Sequence, residues 1–304
     1  MPSLAARALS LALRLYLRPR LLRGTVAERR AQIAATAARR RLPNGFLAVP
    51  VSAGAVPAEW LEGPGLDRSR VLYHVHGGGF SGGSAASERP LTLLLSRAVE
   101  SRGFGIDYRL APEHPFPAAV EDAVAAYRWL LDQGADPRRT IVSGASAGGN
   151  IALSALLSLR DAGGPLPAGV VLLSPSTDLT LSGESFVTKA RLDPIITRAY
   201  AERASAMYAS AAERRNPLLS PHFADLRGLP PMLVHAGSIE VMLSDATRLA
   251  DRAKEAGVDV TLRVWEGLFH VFHAAAFLPE SRAAMREIGT WARQRLEPTV
   301  IMGR

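Results

Sequence analysis

From about residue 46 onward, short apolar segments alternate with longer segments of helical pattern. The short segments predict strands at Phe46–Val51, Val56–Leu61, Arg70–Val75, Gly103–Asp107, Thr140–Ser143, Gly169–Leu173, Met232–Ala236 and Val260–Trp265. The longer segments predict helices at Ser87–Glu100, Ala118–Asp132, Ala147–Asp161, Ser244–Glu255 and Pro279–Arg295. Strands that alternate with helices favour a mostly parallel sheet covered on both faces. The sequence therefore predicts an α/β fold around an eight-stranded, mostly parallel sheet.

Two segments fall outside this alternation: the Ala- and Arg-rich stretch 1–41, and a stretch of helical pattern from Leu181 to Arg215. A helical insertion in such a sheet usually lies at the carboxyl ends of the strands, where ligands bind. We therefore predict a helical cap formed by residues 1–45 and 180–216 over an α/β core formed by 46–179 and 217–304. The alternative is that residues 1–41 form a packed or partly disordered tail.

Composition narrows the chemistry that the chain can perform. Of its 304 residues, 48% are hydrophobic, which is enough for a large core. The chain has no cysteine and no HExxH motif, so we expect neither a metal nor a cofactor. The net charge is +8, but the arginines cluster near the N-terminus and no basic–aromatic pattern of nucleic-acid-binding proteins is present. We therefore expect no nucleic-acid partner.

The first 24 residues are basic and rich in leucine. Arg7, Arg14 and Arg18 interrupt the apolar core that a signal peptide needs, and no later apolar run reaches the roughly 18 residues needed to span a bilayer. We therefore predict a cytoplasmic protein whose N-terminal segment folds onto its own domain. The alternative is peripheral contact of a basic amphipathic helix with an anionic membrane surface.

Five small residues, Gly144-Ala145-Ser146-Ala147-Gly148, join a predicted strand to a predicted helix. A serine on a tight strand-to-helix turn is typical of a nucleophile elbow, which presents the hydroxyl above the sheet. A serine in such a turn can also merely cap a helix. Ser146 is therefore the candidate nucleophile, and its role depends on the partners that the rest of the chain offers.

A serine nucleophile needs a base and a group that orients the base, and late strands offer candidates for both. His270 lies in a glycine-containing loop after the last predicted strand, whereas His273 is expected to face away or into packing. Glu240 follows the preceding strand and is the preferred orienting acid. Asp245 falls inside a predicted helix, where an N-terminal helix charge or an outer partner of the site is the better interpretation.

Backbone donors for an oxyanion are offered by the segment His76-Gly77-Gly78-Gly79-Phe80, directly after a predicted strand. Consecutive glycines let N–H groups approach a ligand, and the segment matches the HGGG oxyanion-loop pattern. A phosphate-binding loop is the alternative, but the Lys-Ser/Thr pair of a P-loop is missing. Glycine loop, serine, acid and histidine follow one another in this order, each at a strand end, which indicates acyl transfer by a serine.

Several segments together resemble motifs of the hormone-sensitive-lipase family of bacterial carboxylesterases. They are HGGGF, GASAGGN, GLFHVFH, DYRLAPE at 107–113 and SPSTDL at 174–179, and the likeness extends over about residues 60–296. The resemblance implies an α/β-hydrolase fold under a helical cap. It also implies an oxyanion hole formed by the amides of Gly77, Gly78 and Ala147, with His76 and DYRLAPE as structural supports.

The chain departs from the family pattern at two positions. Ala145 stands where relatives usually carry aspartate or threonine, and Glu240 replaces the more frequent aspartate. Neither change removes a catalytic function, but both leave the substrate preference open. Some members of the family dimerise through a strand edge, here Val260–Trp265 and the helix after it, so the resemblance suggests a homodimer.

We therefore expect a cofactor-independent carboxylesterase in which Ser146, His270 and Glu240 act on short- to medium-chain acyl esters. Small and apolar residues in the predicted cap favour a modest pocket: Ala204, Ala206, Met207 and Ala209. Hydrolysis of lactones or amides would use the same groups. A ligand-binding module on the same fold is the alternative from another class of protein.

Overall fold

A computed structural model describes residues 1–21 and 23–296, and its centre is one eight-stranded sheet. The strands are β1 (Leu47–Ala53), β2 (Val56–Glu62), β3 (Asp67–Val75), β4 (Ser101–Ile106), β5 (Thr140–Ala145), β6 (Gly169–Leu173), β7 (Met232–Gly237) and β8 (Val260–Trp265). Their order in the sheet is β1-β2-β4-β3-β5-β6-β7-β8. β2 is antiparallel to both of its neighbours, and the other pairs are parallel. The predicted sheet is confirmed.

Helices connect the strands and cover the sheet. They are α1 (Leu4–Ala12), α2 (Arg18–Leu21), α3 (Val26–Arg39), α4 (Ala85–Val99), α5 (Ala118–Asp132), α6 (Ala147–Asp161), α7 (Ser185–Thr188), α8 (Arg198–Tyr208), α9 (Leu243–Glu255) and α10 (Pro279–Leu296). A π-helical turn, Leu13–Leu17, joins α1 to α2. No helix within the described residues is both long enough and apolar enough to cross a membrane.

The central strands are apolar on both faces because helices cover both. In β6, Val170 and Leu172 belong to one buried cluster with residues of α5, α6 and α9. Val171 and Leu173 point the other way and pack with residues of α4 and α10. Burying each such side chain contributes roughly 1.5–3 kcal/mol relative to leaving it in water. Because both faces of the central strands are packed with apolar side chains, we expect the polar groups of a reactive site at the ends of the strands.

Most element boundaries differ from the sequence prediction by a few residues, and two of the differences have clear local reasons. Strand β5 continues to Ala145 because Gly144 and Ala145 still pair with Leu172 and Leu173 of β6. Helix α4 begins at Ala85, before the predicted Ser87, because the Ser84 side chain accepts a hydrogen bond from the backbone N–H of Ser87 and caps the helix. Both changes bring ordered structure closer to the predicted site.

The insertion between β6 and β7 is less helical than its sequence pattern predicts, since only α7 and α8 are α-helical there. Asp193 and Pro194 separate the two helices. The Asp193 carboxylate accepts hydrogen bonds from the amides of Ile195, at 2.8 Å, and Ile196, at 2.9 Å. Such local side-chain bonds compete with helical hydrogen bonding. The helical pattern from Leu181 to Arg215 is therefore confirmed in α7 and α8 but not in the residues between them.

The N-terminal segment packs against the insertion. Arg14 donates to the carbonyls of Arg191, at 2.8 Å, and Leu192, at 2.6 Å, and Arg18 donates to that of Ala190 at 2.8 Å. The two segments that fall outside the strand–helix alternation are thus in contact. Their definition as a cap of residues 1–45 and 180–216 stays a prediction.

Candidate active site

Ser146 occupies a strained turn between β5 and α6. Its backbone angles are φ 55° and ψ −121°, a combination that costs of order 1–3 kcal/mol for a residue with a side chain. The Ser146 amide donates to the carbonyl of Leu173 at 2.9 Å, and its carbonyl accepts from the amides of Gly149 and Ser176 at 3.0 and 3.2 Å. The surrounding backbone therefore holds the strained conformation in place.

The glycines on either side of Ser146 are required by close backbone contacts. A Cβ atom on Gly144 would lie 2.4 Å from the carbonyl oxygen of Gly148, and one on Gly148 would lie 2.1 Å from that of Val75. Real Cβ atoms do not approach other atoms so closely. The GxSxG pattern thus has a steric origin, because helix α6 starts directly against the end of β3.

His270 and Glu240 form a buried hydrogen-bonded pair. The His270 Nδ1 atom lies 2.7 Å from Glu240 Oε2, and Glu240 Oε1 accepts from the Gly237 amide at 2.7 Å. Burial alone would lower the pKa of His270, but the hydrogen bond and the charge of Glu240 outweigh it, so this pKa lies above its ordinary value. An Nδ1–H held by a carboxylate leaves Nε2 free to accept a proton.

Ser146 and His270 are not joined by a direct hydrogen bond within the described parts of the chain. Bonds between nucleophile and base are often long in a site without ligand and shorten when substrate binds. The loop that carries His270 is anchored beside the elbow, because the Val271 amide donates to the Ser174 hydroxyl at 3.1 Å. Ser174 in turn follows β6, whose last residue binds the Ser146 amide.

The glycine loop uses its amides differently from the sequence prediction. The Gly77 N–H donates to Glu88 Oε1 at 2.9 Å and is therefore already engaged. The amides of Gly78 and Gly79 have no acceptor within residues 1–21 and 23–296. Gly79, together with Ser146, lines the pocket. The assignment of Gly77 as an oxyanion donor conflicts with this geometry, and Gly79 fits that position better.

Glu88 belongs to a hydrogen-bonded network that the sequence analysis missed. Its second oxygen, Oε2, lies 2.9 Å from His74 Nε2, and His74 Nδ1 lies 2.7 Å from the Ser143 hydroxyl. Partial burial would raise the pKa of Glu88, but the hydrogen bonds from His74 and Gly77 and the nearby histidine charges lower it below its ordinary value. The only local signal is a carboxylate in the first turn of α4, which many helices carry.

Other contacts hold the glycine loop from outside. The His76 ring contacts the Gly77 carbonyl at 2.7 Å, and the Tyr108 hydroxyl donates to the His76 carbonyl at 3.0 Å. The Tyr108 ring also stacks on the His76 ring, with centroids 4.2 Å apart. Asp107 accepts from the Ala85 amide at 2.6 Å and so holds the start of α4. His76 and the DYRLAPE segment thus support the loop without facing the pocket.

Asp193, on the insertion, is a further buried carboxylate that the sequence analysis did not single out. It accepts from the Val241 amide at 2.9 Å and so holds the residue next to Glu240. Burial raises the pKa of Asp193, while the nearby His270 and the Val241 amide act in the opposite direction. The insertion therefore contributes directly to the loop that carries the acid.

The two alternative candidates, His273 and Asp245, form their hydrogen bonds with residues other than His270 and Glu240. His273 is fully buried, with Nε2 3.2 Å from His235 Nδ1, and burial holds its pKa well below its ordinary value. Asp245 lies in the first turn of α9 and accepts from the amides of Thr177 and Asp178 at 2.8 and 3.1 Å. Burial raises the pKa of Asp245 to about 7. Both residues serve packing and loop anchoring.

A narrow pocket of about 20 Å³ lies beside Ser146. It is lined by Gly79, Phe80, Ser146, Ala147, Ser176, Tyr200, Ala201, Ala204, Ser205 and Met242. Ala204 lies there as expected, but Ala206 is exposed, and Met207 and Ala209 pack on the main core, so for these three the expectation is wrong. The described residues include no group of three or more metal-ligating side chains.

Comparison with known proteins places this geometry in a family. The profile of the alpha/beta hydrolase fold family matches residues 72–274. An acetyl-hydrolase from Streptomyces hygroscopicus is 43% identical over 254 residues, which are 82% of this chain and 85% of that protein. An esterase from the bacterial hormone-sensitive lipase family has a crystal structure with a TM-score of 0.91 and 40% identity, covering 98% of this chain and 100% of that one. The chain belongs to the bacterial hormone-sensitive lipase family, which has the alpha/beta hydrolase fold.

A further solved member, EstE5 soaked with p-nitrophenyl butyrate, is 38% identical, has a TM-score of 0.91, and covers 97% of this chain and 99% of that one. The predicted α/β-hydrolase fold and family are therefore confirmed. The relatives are named esterases, acetyl-hydrolases or carboxylic ester hydrolases. The chain is thus a carboxylic ester hydrolase, and its substrates are small-molecule esters.

Proposed function

We propose that this enzyme is a serine carboxylesterase in which Ser146, His270 and Glu240 form the catalytic triad. His270 Nε2 takes the proton as the Ser146 hydroxyl attacks the ester carbonyl. It then returns the proton to the alcohol that leaves, which produces an acyl-enzyme. Water, deprotonated by His270, releases the acid and restores the serine. Glu240 fixes the histidine tautomer and stabilises the imidazolium.

The oxyanion hole that we propose consists of the amides of Gly78, Gly79 and Ala147. Gly77 is replaced by Gly79 because its N–H is bound to Glu88, whereas Gly79 lines the pocket beside Ser146. Ala147 is the first residue of α6, so its amide has no partner within the helix. Amides fixed before the reaction stabilise the developing charge without reorganisation.

The observation that carries the proposal is the 2.7 Å contact between His270 Nδ1 and Glu240 Oε2 at the same end of the sheet as the strained serine. A buried carboxylate beside a histidine also occurs in structural ion pairs. A strained, pocket-lining serine at the matching strand end has no such structural explanation, because Ser146 does not cap α6 with its side chain. Together the three residues support acyl transfer.

Ser146→Ala tests the assignment with p-nitrophenyl butyrate as substrate. We expect the rate to fall at least about 10⁴-fold, as when the nucleophile of a serine hydrolase is removed. Ser205→Ala is the matched control, because Ser205 lines the same pocket and lies on the insertion. A Ser146→Ala enzyme with a rate near that of the wild type contradicts the proposal. Labelling by a fluorophosphonate must also disappear in Ser146→Ala alone.

For the acyl group we propose a short chain, from acetyl to butyryl. The pocket volume of about 20 Å³ holds roughly one water molecule, so even a small acyl chain has to displace lining side chains such as Tyr200 or Met242. The acetyl-hydrolase relative and the butyrate ester soaked into EstE5 support the same range. A series of p-nitrophenyl esters from acetate to palmitate tests it, and a maximum at palmitate contradicts it. Lactones and amides belong in the same screen.

Dimerisation through β8 stays a proposal, and sedimentation velocity tests it. β8 forms one edge of the sheet, and its residues are half-buried or exposed.

We also propose that residues 1–45 and 180–216 cover the pocket. Tyr200 and Ala204 support this, because both lie on α8 and line the pocket. The cytoplasmic location also stays a prediction.

A further inference from the structure

The helix at the N-terminus has two apolar faces, of which only one is used within the protein. Ala6, Leu9 and Leu13 pack inward against a cluster that contains Phe269 and Phe272. The outward residues Leu4, Leu11 and Leu15 are 81%, 58% and 58% exposed. Their spacing of seven and four residues places them along one side of the helix. We call these three residues the outer stripe.

Exposed apolar side chains are concentrated in this segment. Half of the large hydrophobic residues that are exposed in the described chain lie within residues 1–17. They include Tyr16, which is 65% exposed and directly follows Leu15 in the chain. Isolated exposed leucines are ordinary on protein surfaces, whereas a contiguous row on one helix marks a surface that binds an apolar partner.

The same segment carries uncompensated positive charge. Residues 1–27 contain Arg7, Arg14, Arg18, Arg20 and Arg23 and no aspartate or glutamate. Arg14 and Arg18 donate to neutral backbone carbonyls of the insertion, which leaves their charge in place. Carboxylates contact this segment at its two ends: Glu280 binds Ser3 at the start of α1, and Glu28 accepts from the Thr25 amide.

We propose that the outer stripe and its arginines dock on an anionic lipid surface. Apolar residues along one side of a helix with arginines beside them are the pattern of helices that lie in a membrane interface. Tyrosine is also favoured at the headgroup level. A second copy of the chain fits less well, because it would bring two sets of arginines together. The inner face of α1 packs in the same buried cluster as Phe269, the neighbour of His270, so docking would bring the proposed reaction centre close to the lipid surface.

Sedimentation of the full chain with vesicles tests the proposal. We expect binding to vesicles that contain phosphatidylglycerol, weak binding to vesicles of phosphatidylcholine alone, and loss of binding at high salt. The triple variant Leu4→Ser/Leu11→Ser/Leu15→Ser should bind at least about tenfold more weakly. The control triple variant Leu47→Ser/Val187→Ser/Phe277→Ser removes equally exposed residues elsewhere and should bind as the wild type does.

Several results would overturn the assignment. One is equal binding by the outer-stripe variant and the wild type, and another is equal binding to both kinds of vesicle. A wild-type dimer that the outer-stripe variant converts to a monomer in ultracentrifugation would assign the stripe to a second copy instead. The inference extends the proposed function, but its test is independent of it: Ser146→Ala should still sediment with the vesicles. Hydrolysis of p-nitrophenyl butyrate without vesicles should be unchanged in the outer-stripe variant.

Discussion

The Glu88→Met substitution tests whether the glycine loop is held from behind by a carboxylate. It keeps the length of the side chain but removes the acceptor of the Gly77 N–H and of His74, both at 2.9 Å. A hydrogen bond to a charged group contributes about 1.5–3 kcal/mol. Once Gly77 is released, the proposed oxyanion donors, the amides of Gly78 and Gly79, lose this anchor.

The expected loss follows from what one oxyanion donor contributes. Removing a donor outright lowers kcat by roughly 10²–10³. Since Glu88→Met leaves the amides present but loosely oriented, we expect a fall in kcat of about 10- to 100-fold. KM should change by less than about threefold, because the ground-state ester does not depend on the oxyanion contacts. Glu88→Gln keeps an acceptor for Gly77 and should therefore recover most of the loss.

The assay is steady-state hydrolysis of p-nitrophenyl butyrate, with active enzyme counted by fluorophosphonate titration. Glu59→Met is the matched control, because Glu59 is also a partly buried carboxylate bound to α4, through Arg89 at 2.8 and 2.5 Å, but does not contact the glycine loop. It should lower stability without lowering kcat per active enzyme. An unchanged kcat in Glu88→Met, or an equal loss in Glu59→Met, would refute the reasoning. If Ser146→Ala stays active, the proposed function itself fails.

Three further predictions concern the acid, a buried aspartate and the elbow. Glu240→Gln should lower kcat by about 10³–10⁴, since an amide facing His270 favours the wrong tautomer. In the wild type, kcat/KM should fall on the acidic side with a pKa above the ordinary value of histidine, because the hydrogen bond and charge of Glu240 raise the pKa of His270. For Asp245, a folded-state pKa of about 7 against 3.8 means that the folded protein binds more protons, so the free energy of unfolding should fall between about pH 4 and pH 7 by up to about 4 kcal/mol. Urea titrations should show a flatter pH dependence for Asp245→Asn, and an unchanged slope would contradict this. Gly148→Ala should yield little folded enzyme by circular dichroism, because its Cβ would lie 2.1 Å from the Val75 carbonyl oxygen, and a variant as stable as the wild type would count against the steric account of the elbow.

The sequence predicted the sheet and the meeting of Glu240 with His270 for the same reason. Carboxyl ends of parallel strands converge at one edge of a sheet, so residues far apart in sequence become neighbours once each is placed after a strand. The elbow is readable because five small residues join a predicted strand to a predicted helix, although the contacts that require its glycines come both from Gly148 and from Val75 at the end of β3. Local rules and strand order together were sufficient for these features.

The glycine loop and the insertion could not be predicted in the same way. The sequence does not distinguish the amides of Gly77, Gly78 and Gly79. The contact of the Gly77 N–H with Glu88, eleven residues away on α4, decides which amides stay free. The insertion has a helical pattern, but Asp193 binds Val241 across the fold and interrupts it. In both cases a carboxylate contact between two parts of the chain that are separate in the sequence fixes the backbone.

The strained backbone of Ser146 has a consequence for attempts to make this enzyme more heat-resistant. Ser146→Gly would relax the φ angle of 55° and should raise the free energy of unfolding by about 1–3 kcal/mol, but it would remove the proposed nucleophile. Thermostability and turnover therefore compete at this one position. The same trade-off occurs in other enzymes whose active sites keep a strained backbone. Engineering for stability has to begin elsewhere, at surface positions and loops whose geometry the chemistry does not use.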